Sequence, residues 1–263
     1  MNKKHQNNNY SPRDRREQIV KYVLTKGFAS IEELMGIFNI SRMTIHRDLN
    51  ELEHTKVIQK IRNGVSAQPT SVFESDFGYR EQVDITQKES LCKLASTYLY
   101  DGMSIFLDDS STVIPLIKYF KNLRSLTVIT SCLPAINEII KISGINLIIL
   151  GGLYDNKYRA SYGYLCVDTI NRIHADLVII SPHSYKSGSI FESELHIIPP
   201  KLAMIENSEN KIALIVNSKF KQTSLYMLAK ISIFDHIIVD NFLSKNQLDE
   251  LRSFTKNLLI AKS

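Results

Sequence analysis

The chain has 263 residues, 44% of them hydrophobic and 22% charged, the balance of an ordinary globular protein long enough for two unequal domains. Its start, MNKKHQNNNYSPRDRR, has no apolar run, and no stretch approaches the roughly 18 apolar residues of a membrane helix, so a secretory signal and a membrane span are not expected. Residues 1–65 hold 12 Lys and Arg against 7 Asp and Glu, while the other 198 hold 20 against 20, so the formal excess of +5 lies in the first quarter and points to a polyanion met at that end.

In chain order, residues 13–25 place Ile19, Val20, Val23 and Leu24 at helical spacing, and Lys26-Gly27 ends that helix. The tetrapeptide SIEE then reads as a capping box, with Ser30 accepting near Glu33 and the Glu33 carboxylate returning the bond. A short helix carrying Ile31, Leu34, Met35 and Phe38 follows, NIS breaks it, and Ser41 is placed to cap the next. There Met43, Ile45, Leu49 and Leu52 form the expected buried stripe, leaving Arg42, Thr44, His46 and Arg47 mostly off it in the first two turns. A helix, a turn and a second helix with polar residues near its start is the arrangement that enters a major groove. The alternating segment KVIQKIRNGV, with a turn at Asn63-Gly64, reads as a basic hairpin, the wing that reaches the DNA backbone or an adjacent minor groove. An ordinary solvated helix face is the competing reading of those charges; the wing, the cap and the localised charge weigh against it.

Residues 66–85 lack a long period and read as linker with one short ordered piece. TQKE at 86–89 reads as a second capping box, opening a helix that buries Leu91, Leu94, Ala95, Tyr98 and Leu99 and stops at Asp101-Gly102. Seven short apolar runs follow, at 103–108, 126–130, 145–152, 175–181, 211–217, 236–240 and 257–261, separated by helical patterns such as VIPLIKYF and PAINEII. Continuous apolar strands alternating with helices predict an α/β domain with a largely parallel sheet covered on both faces. Ligands of such sheets bind beyond the carboxyl ends of the strands. Three loops there have fitting chemistry: DDSST, with Asp108, Ser110, Ser111 and Thr112; TSCL, with Thr130 and Ser131; and Gly151-Gly152. Ser and Thr at helix starts are often plain caps, but three such loops on one edge favour a phosphorylated or otherwise anionic small ligand. Cys92, Cys132 and Cys166 are odd in number and lack C-x-x-C spacing, so they read as small apolar residues of a reducing cytoplasm, with no metal and no cofactor expected.

The N-terminal residues also resemble the DeoR family of bacterial transcriptional regulators. The family run Ser-x-x-Thr-Ile-Arg-Arg-Asp-Leu with a following Leu-Glu is matched by Ser41, Thr44, Ile45, His46, Arg47, Asp48, Leu49, Leu52 and Glu53, with His46 in place of one Arg. The His-Gly-Gly that closes the family's wing is reduced to Arg62-Asn63-Gly64. On this reading Arg42, Thr44 and Arg47 contact base edges or nearby phosphates, His46 does either, and Ser41 caps beside them. Lys56, Lys60 and Arg62 meet phosphates, and Asp48 has a structural ion-pair or capping role. The resemblance continues over residues 86–240, where it implies a sensor domain similar in fold to ribose-phosphate isomerases and glucosamine-phosphate deaminases. Asp108, Ser111 and Thr112 match its Asp-x-Gly-Ser/Thr-Thr loop with Ser110 where Gly is usual, and Thr130-Ser131 stand for its Thr-Asn pair. Gly151-Gly152, then Arg159, Ser161 and Gly163, Ala175-Asp176 and Ser218-Lys219-Phe220 also fit, which adds Arg159 and Lys219 to the implied effector site. SPHSYKSG replaces a Gly-rich stretch, Val216 or Asn217 an acidic residue, and Pro199 a Glu before Lys201. Either the effector differs from the common sugar phosphates or sensing is weakened.

These readings divide the chain into a disordered tail at 1–12, a winged helix-turn-helix DNA-binding domain at 13–66, a linker at 67–85 and an α/β effector-sensing domain at 86–263. The expected function is a cytoplasmic, sequence-specific repressor of carbohydrate-metabolism genes, a dimer or tetramer on a double-stranded operator, modulated by a phosphorylated sugar. The rival is a sugar-phosphate isomerase or deaminase with an accessory N-terminal module. Asp108, Asp109, Asp176, His183 and Glu192 are available for proton transfer, but they form no recognisable catalytic run, so no enzyme is expected.

Overall fold

In a computed structural model of the chain the described residues are 11–53, 58–61, 64–67, 77–222, 224–255 and 257–262, with the backbone alone described for Leu24, Thr25 and Tyr79. Helix α1 (Pro12–Lys26) begins with proline in its first turn, where no backbone N–H is needed, and Ser11 caps it by accepting from Asp14 N at 3.2 Å. It buries Ile19 and Val23, leaves Val20 half-buried, and ends at Gly27, whose φ of 85° suits glycine. After β1 (Phe28–Ser30) comes α2 (Ile31–Phe38), with Ser30 Oγ accepting from Glu33 N at 3.0 Å. The return half of that capping box is not made. The Glu33 carboxylate instead accepts from Tyr22 Oη at 2.5 Å and from the Lys26 ammonium, two stronger donors supplied by α1.

Helix α3 (Arg42–Glu53) turns Ile45, Asp48, Leu49 and Leu52 inward. Met43 does not join them: it lies two residues, about 200° of helix rotation, from Ile45, and it is 82% exposed. Strands β2 (Ile58–Ile61) and β3 (Gly64–Ala67) form an antiparallel hairpin, and β1 pairs with β3 to complete a three-stranded sheet. Gly64 permits that pairing, because a Cβ there would lie 2.4 Å from a Phe28 ring carbon and 2.6 Å from the Ala29 carbonyl oxygen. Ile19, Val23, Leu34, Ile45, Leu49, Ile58 and Val65 form one fully buried core under the helices and the hairpin.

The short helix α4 (Phe77–Gln82) lies in the stretch read as linker, and the division into two compact units falls inside it, between Tyr79 and Arg80. Helix α5 (Ile85–Ala95) opens the second unit. Its start corrects the expected box at 86–89: Lys88 N already bonds Asp84 O at 2.9 Å, so Thr86 lies within the first turn rather than capping it. Leu91 and Ala95 are buried, while Leu94, Tyr98 and Leu99 are half-buried.

All seven expected runs become strands of one parallel sheet: β4 (Ser104–Leu107), β5 (Thr127–Thr130), β6 (Asn146–Ile149), β9 (Ala175–Ile180), β12 (Ser208–Ile215), β14 (His236–Asp240) and β15 (Leu258–Ala261). Their order is β15-β14-β12-β9-β4-β5-β6, so the chain winds outward from β4 one way and from β9 the other, and the switch point lies between β4 and β9. Phe106, Val178, Ile180, Ala213, Ile215, Ile237 and Val239 pack with α7 (Tyr164–Ile170) and α8 (Ile198–Glu206) on one face. The alternate residues face the other side, where α5 contacts β12, β14 and β15. The stretch VIPLIKYF, expected as a helix, forms a 3-10 helix at Ile114–Asn122, and α6 (Leu133–Ile139) follows TSCL. Two small antiparallel sheets were not anticipated, one of β7 (Leu153–Asp155) with β8 (Ala160–Tyr162), the other of β10 (Ser184–Lys186), β11 (Ser189–Glu192) and β13 (Tyr226–Lys230). The last helix, α9 (Lys245–Phe254), opens on a complete capping box of Ser244 with Gln247.

Candidate functional site

On α3 the exposed residues recur at Arg42, Met43, His46, Arg47 and Asn50, one helical face opposite the buried Ile45, Leu49 and Leu52. Ser41 Oγ accepts from Thr44 N at 3.3 Å and meets Thr44 Oγ1 at 3.0 Å, which holds the start of the helix and engages the Thr44 hydroxyl. Arg42 lies 3.2 Å from Glu32 of α2, both exposed, a pairing easily exchanged for a phosphate. Asp48 turns into the module, where its carboxylate takes two bonds from Arg15, at 2.6 and 3.2 Å, and ties α1 to α3. Lys60 of β2 bonds Asn50 through its ammonium, and its backbone N–H donates to Glu53 at 3.1 Å, which fixes the hairpin against the end of α3. Lys56 and Arg62 lie outside the described residues.

In the second unit, the loop after β4 sits at the switch point. Asp108, Asp109, Ser110, Ser111 and Thr112 are all buried, so these groups meet protein partners. Asp108 accepts from Ser110 N at 3.0 Å and Ser110 Oγ at 2.6 Å, and its second oxygen accepts from Ser181 N at 2.9 Å, just past β9. The buried Lys201 of α8 lies 3.1 Å from Asp108, 3.1 Å from Asp109 and 2.8 Å from Glu192. Tyr162 donates to Asp109. Burial alone would favour the neutral amine of Lys201, but the three carboxylates outweigh it and hold the amine protonated, its pKa well above the ordinary value. Burial likewise opposes ionisation of Asp109, and Lys201 with the Tyr162 hydroxyl overcomes it, leaving that carboxyl below its usual range.

Beside this acidic cluster lies a cationic one. Lys219 donates to Ser181 Oγ at 2.6 Å and Thr112 Oγ1 at 3.4 Å. Lys88 of α5 donates to Ser111 Oγ at 3.0 Å and to the Arg80 carbonyl. Burial, then the positive charge of Lys219, pulls the Lys88 pKa down to about 7. Two ammonium positions and three hydroxyls therefore converge at the carboxyl ends of β4 and β9, an arrangement complementary to a compact oxyanion. Neither Lys88 nor Lys201 is singled out by the sequence for this site, since a helix lysine ordinarily marks a solvated face.

The remaining expected residues sit around this centre. Leu107 pairs with Thr130, which places the TSCL loop next to the 108–112 loop; Thr130 Oγ1 accepts from Cys132 N at 3.1 Å, and Ser131 O accepts from Ser161 N at 3.3 Å. Gly152, at φ 142°, is approached by backbone rather than by an open cleft: a Cβ there would lie 2.3 Å from Tyr162 O. Gly151 is exposed. Arg159 adopts φ 54°, uncommon for a long side chain, and lines a surface cleft with Glu81, Leu133, Pro134 and Tyr154. Arg80, absent from the expected set, lies over the Tyr158 ring at 5.2 Å. Burial raises the thiol pKa of Cys92 and Cys132 to about 12 and of Cys166 to about 11, which holds all three as neutral thiols near neutral pH.

Known proteins match along both units. Residues 15–70 match a model described as the DeoR-like helix-turn-helix domain, and residues 83–241 one described as the DeoR C terminal sensor domain. The L-fucose operon activator of Haemophilus influenzae is 34% identical over 236 residues, covering 88% of this chain and 93% of that protein. The glycerol-3-phosphate regulon repressor of Escherichia coli is 27% identical over 86% of this chain and 90% of its own length. Among solved structures, ribose 5 phosphate isomerase A from Neisseria gonorrhoeae is similar over 51% of this chain and 53% of that chain, with 10% identity and a TM-score of 0.37. The reading module and the sensor module are thus matched in order by the two halves of one family, and the chain belongs to the DeoR family of DNA-binding transcriptional regulators.

Proposed function

We propose that the chain is a ligand-gated repressor of carbohydrate-metabolism genes, modulated by a phosphorylated sugar whose phosphate is held between Lys88 and Lys219. The observation that carries this reading is the convergence of those two amines with Ser111, Thr112 and Ser181 at the sheet's switch point. Relatives named for an L-fucose operon, a glycerol-3-phosphate regulon and a lactose phosphotransferase system support the substrate class. Asp108, Ser110, Thr130, Ser131, Gly151, Gly152 and Arg159 are assigned to the walls and approaches of that site. Residues 13–66 serve as the DNA-binding domain and 86–263 as the sensor, joined by 67–85 behind a tail at 1–12. Arg42, Thr44, His46 and Arg47 face the operator, with Lys60 on the backbone. The protein works in the cytoplasm, where its operator is, as a homo-oligomer that sets two α3 helices on paired half-sites. Leu153, Tyr164 and Leu165, exposed by 81%, 79% and 66%, supply apolar surface for such an assembly.

Catalysis of the isomerase or deaminase kind is not part of this reading. Lys201 is held protonated by three carboxylates, so it is a poor nucleophile, and those carboxylates are committed to it rather than poised to move a substrate proton. The deciding experiment titrates the full chain on genomic fragments, its own upstream region included, across a salt series, then adds a panel of sugar phosphates. Tight, selective binding that weakens steeply with salt and is altered by one sugar phosphate is expected. Operator binding indifferent to the whole panel, or turnover of a panel member, would overturn the proposal.

A further inference from the structure

The outward face of α3 is cationic and polar except at one position. Arg42, His46, Arg47 and Asn50 surround Met43, whose 82% exposure is the highest of any large hydrophobic residue among those described. Among the described residues, Ile45, Leu49 and Leu52 already supply the apolar side chains that α3 buries, and Met43 is not part of that core. Met43 also occupies the second position of the helix, and the first turn of a helix laid in the major groove is the part that reaches base edges. The major groove presents one apolar feature, the C5 methyl of thymine, amid hydrogen-bonding edges. A methionine suits it: the side chain is long, flexible and polarisable, so it follows the groove floor while neighbouring arginines take acceptors.

We propose that Met43 is a specificity-determining residue that reads a thymine C5 methyl in each operator half-site. The inference rests on the assignment of this face of α3 to DNA. It implies that selectivity is shared between polar readers and one apolar reader, and that a T-to-C change and loss of the methyl alone have a common component.

The test uses the full chain and an operator selected from a random duplex pool. Each thymine of the selected half-site is replaced in turn by deoxyuridine, which removes the methyl and keeps the base pair and its acceptor. The wild type should lose about fourfold in affinity at one position per half-site, the value of one buried methyl. Met43→Ala should bind thymine and uridine duplexes equally at that position, and Met43→Leu should restore the discrimination. A wild type with no uridine-sensitive position, or a sensitivity that persists in Met43→Ala, would overturn the role of Met43. Arg47→Ala on the same duplexes separates the two levels. If it loses binding while the uridine scan is flat, Met43 alone is wrong; if it keeps full affinity and selectivity, this face of α3 is not the reader and both assignments fall.

Discussion

The Lys88 ammonium has a hydroxyl and a carbonyl as its partners, with Lys219 as a second positive charge in reach, so burial and repulsion both favour its neutral amine. Its folded pKa of about 7 lies below the ordinary lysine value of about 10.5. Below about pH 7 both the folded and unfolded chains carry the proton, and the full cost of burying the charge is present. As pH rises from about 7 towards about 10 the folded chain releases the proton first, the unfolded chain binds more protons, and this contribution to stability increases. Denaturant titrations should therefore show the wild type gaining stability relative to Lys88→Met across that window. An oxyanion reverses the preference by favouring the ammonium. Sulfate, whose charge is constant in this range, should bind the wild type up to about tenfold more weakly per pH unit above pH 7. For Lys88→Met that component should be missing, and a wild-type affinity independent of pH in calorimetry would remove Lys88 from the anion site.

At the scale of elements, the β2–β3 hairpin is held to the module through the β1–β3 pairing, which depends on Gly64. Gly64→Ala puts a methyl group against the Ala29 carbonyl and the Phe28 ring, and backbone cannot give way as a flexible side chain would. A loss of about 2 kcal/mol is expected, read as faster hydrogen exchange of β1 and β3 amides with those of β9 and β12 unchanged. Elements of this kind differ in how plainly they can be read in advance. Runs such as ADLVII and HIIVD announce themselves because a parallel strand covered on both faces has no polar side to interrupt it. The three-residue strands Leu153–Asp155, Ala160–Tyr162 and Ser184–Lys186 are too short to carry a period, and only their partners define them. VIPLIKYF spaces its apolar residues in a way that suits a 3-10 helix as well as an α-helix. In the site, the hydroxyls of DDSST were legible from their place after a strand. Lys88 and Lys201 were not, because only the folded sheet brings their amines to Ser111 and to Asp108. Met43 misled for the opposite reason: an apolar residue near a buried stripe reads as part of it until the phase of the helix is fixed.

For the whole molecule, the proposed gating requires that the sensor and the reading head influence each other, and the boundary between the units at Tyr79 and Arg80 falls inside α4. The sensor end of α4 is held, since the Arg80 carbonyl accepts from Lys88 and the Arg80 guanidinium lies over Tyr158. On the proposed reading, an anion that draws Lys88 toward itself would compete with the Arg80 carbonyl for the same ammonium, and ligand binding would then bear on the last turn of this helix. Linkage then demands reciprocity: the factor by which ligand changes operator affinity must equal the factor by which operator changes ligand affinity. Glu81 and Gln82 are exposed, and changing both to Gly loosens the backbone of the last turn of this helix. This variant should keep its affinity for operator without ligand, while both coupling factors fall together towards one. Coupling that survives at full strength would show that the signal does not depend on an ordered α4. Unequal factors in the wild type would mean that a further binding equilibrium, such as subunit assembly, accompanies the change.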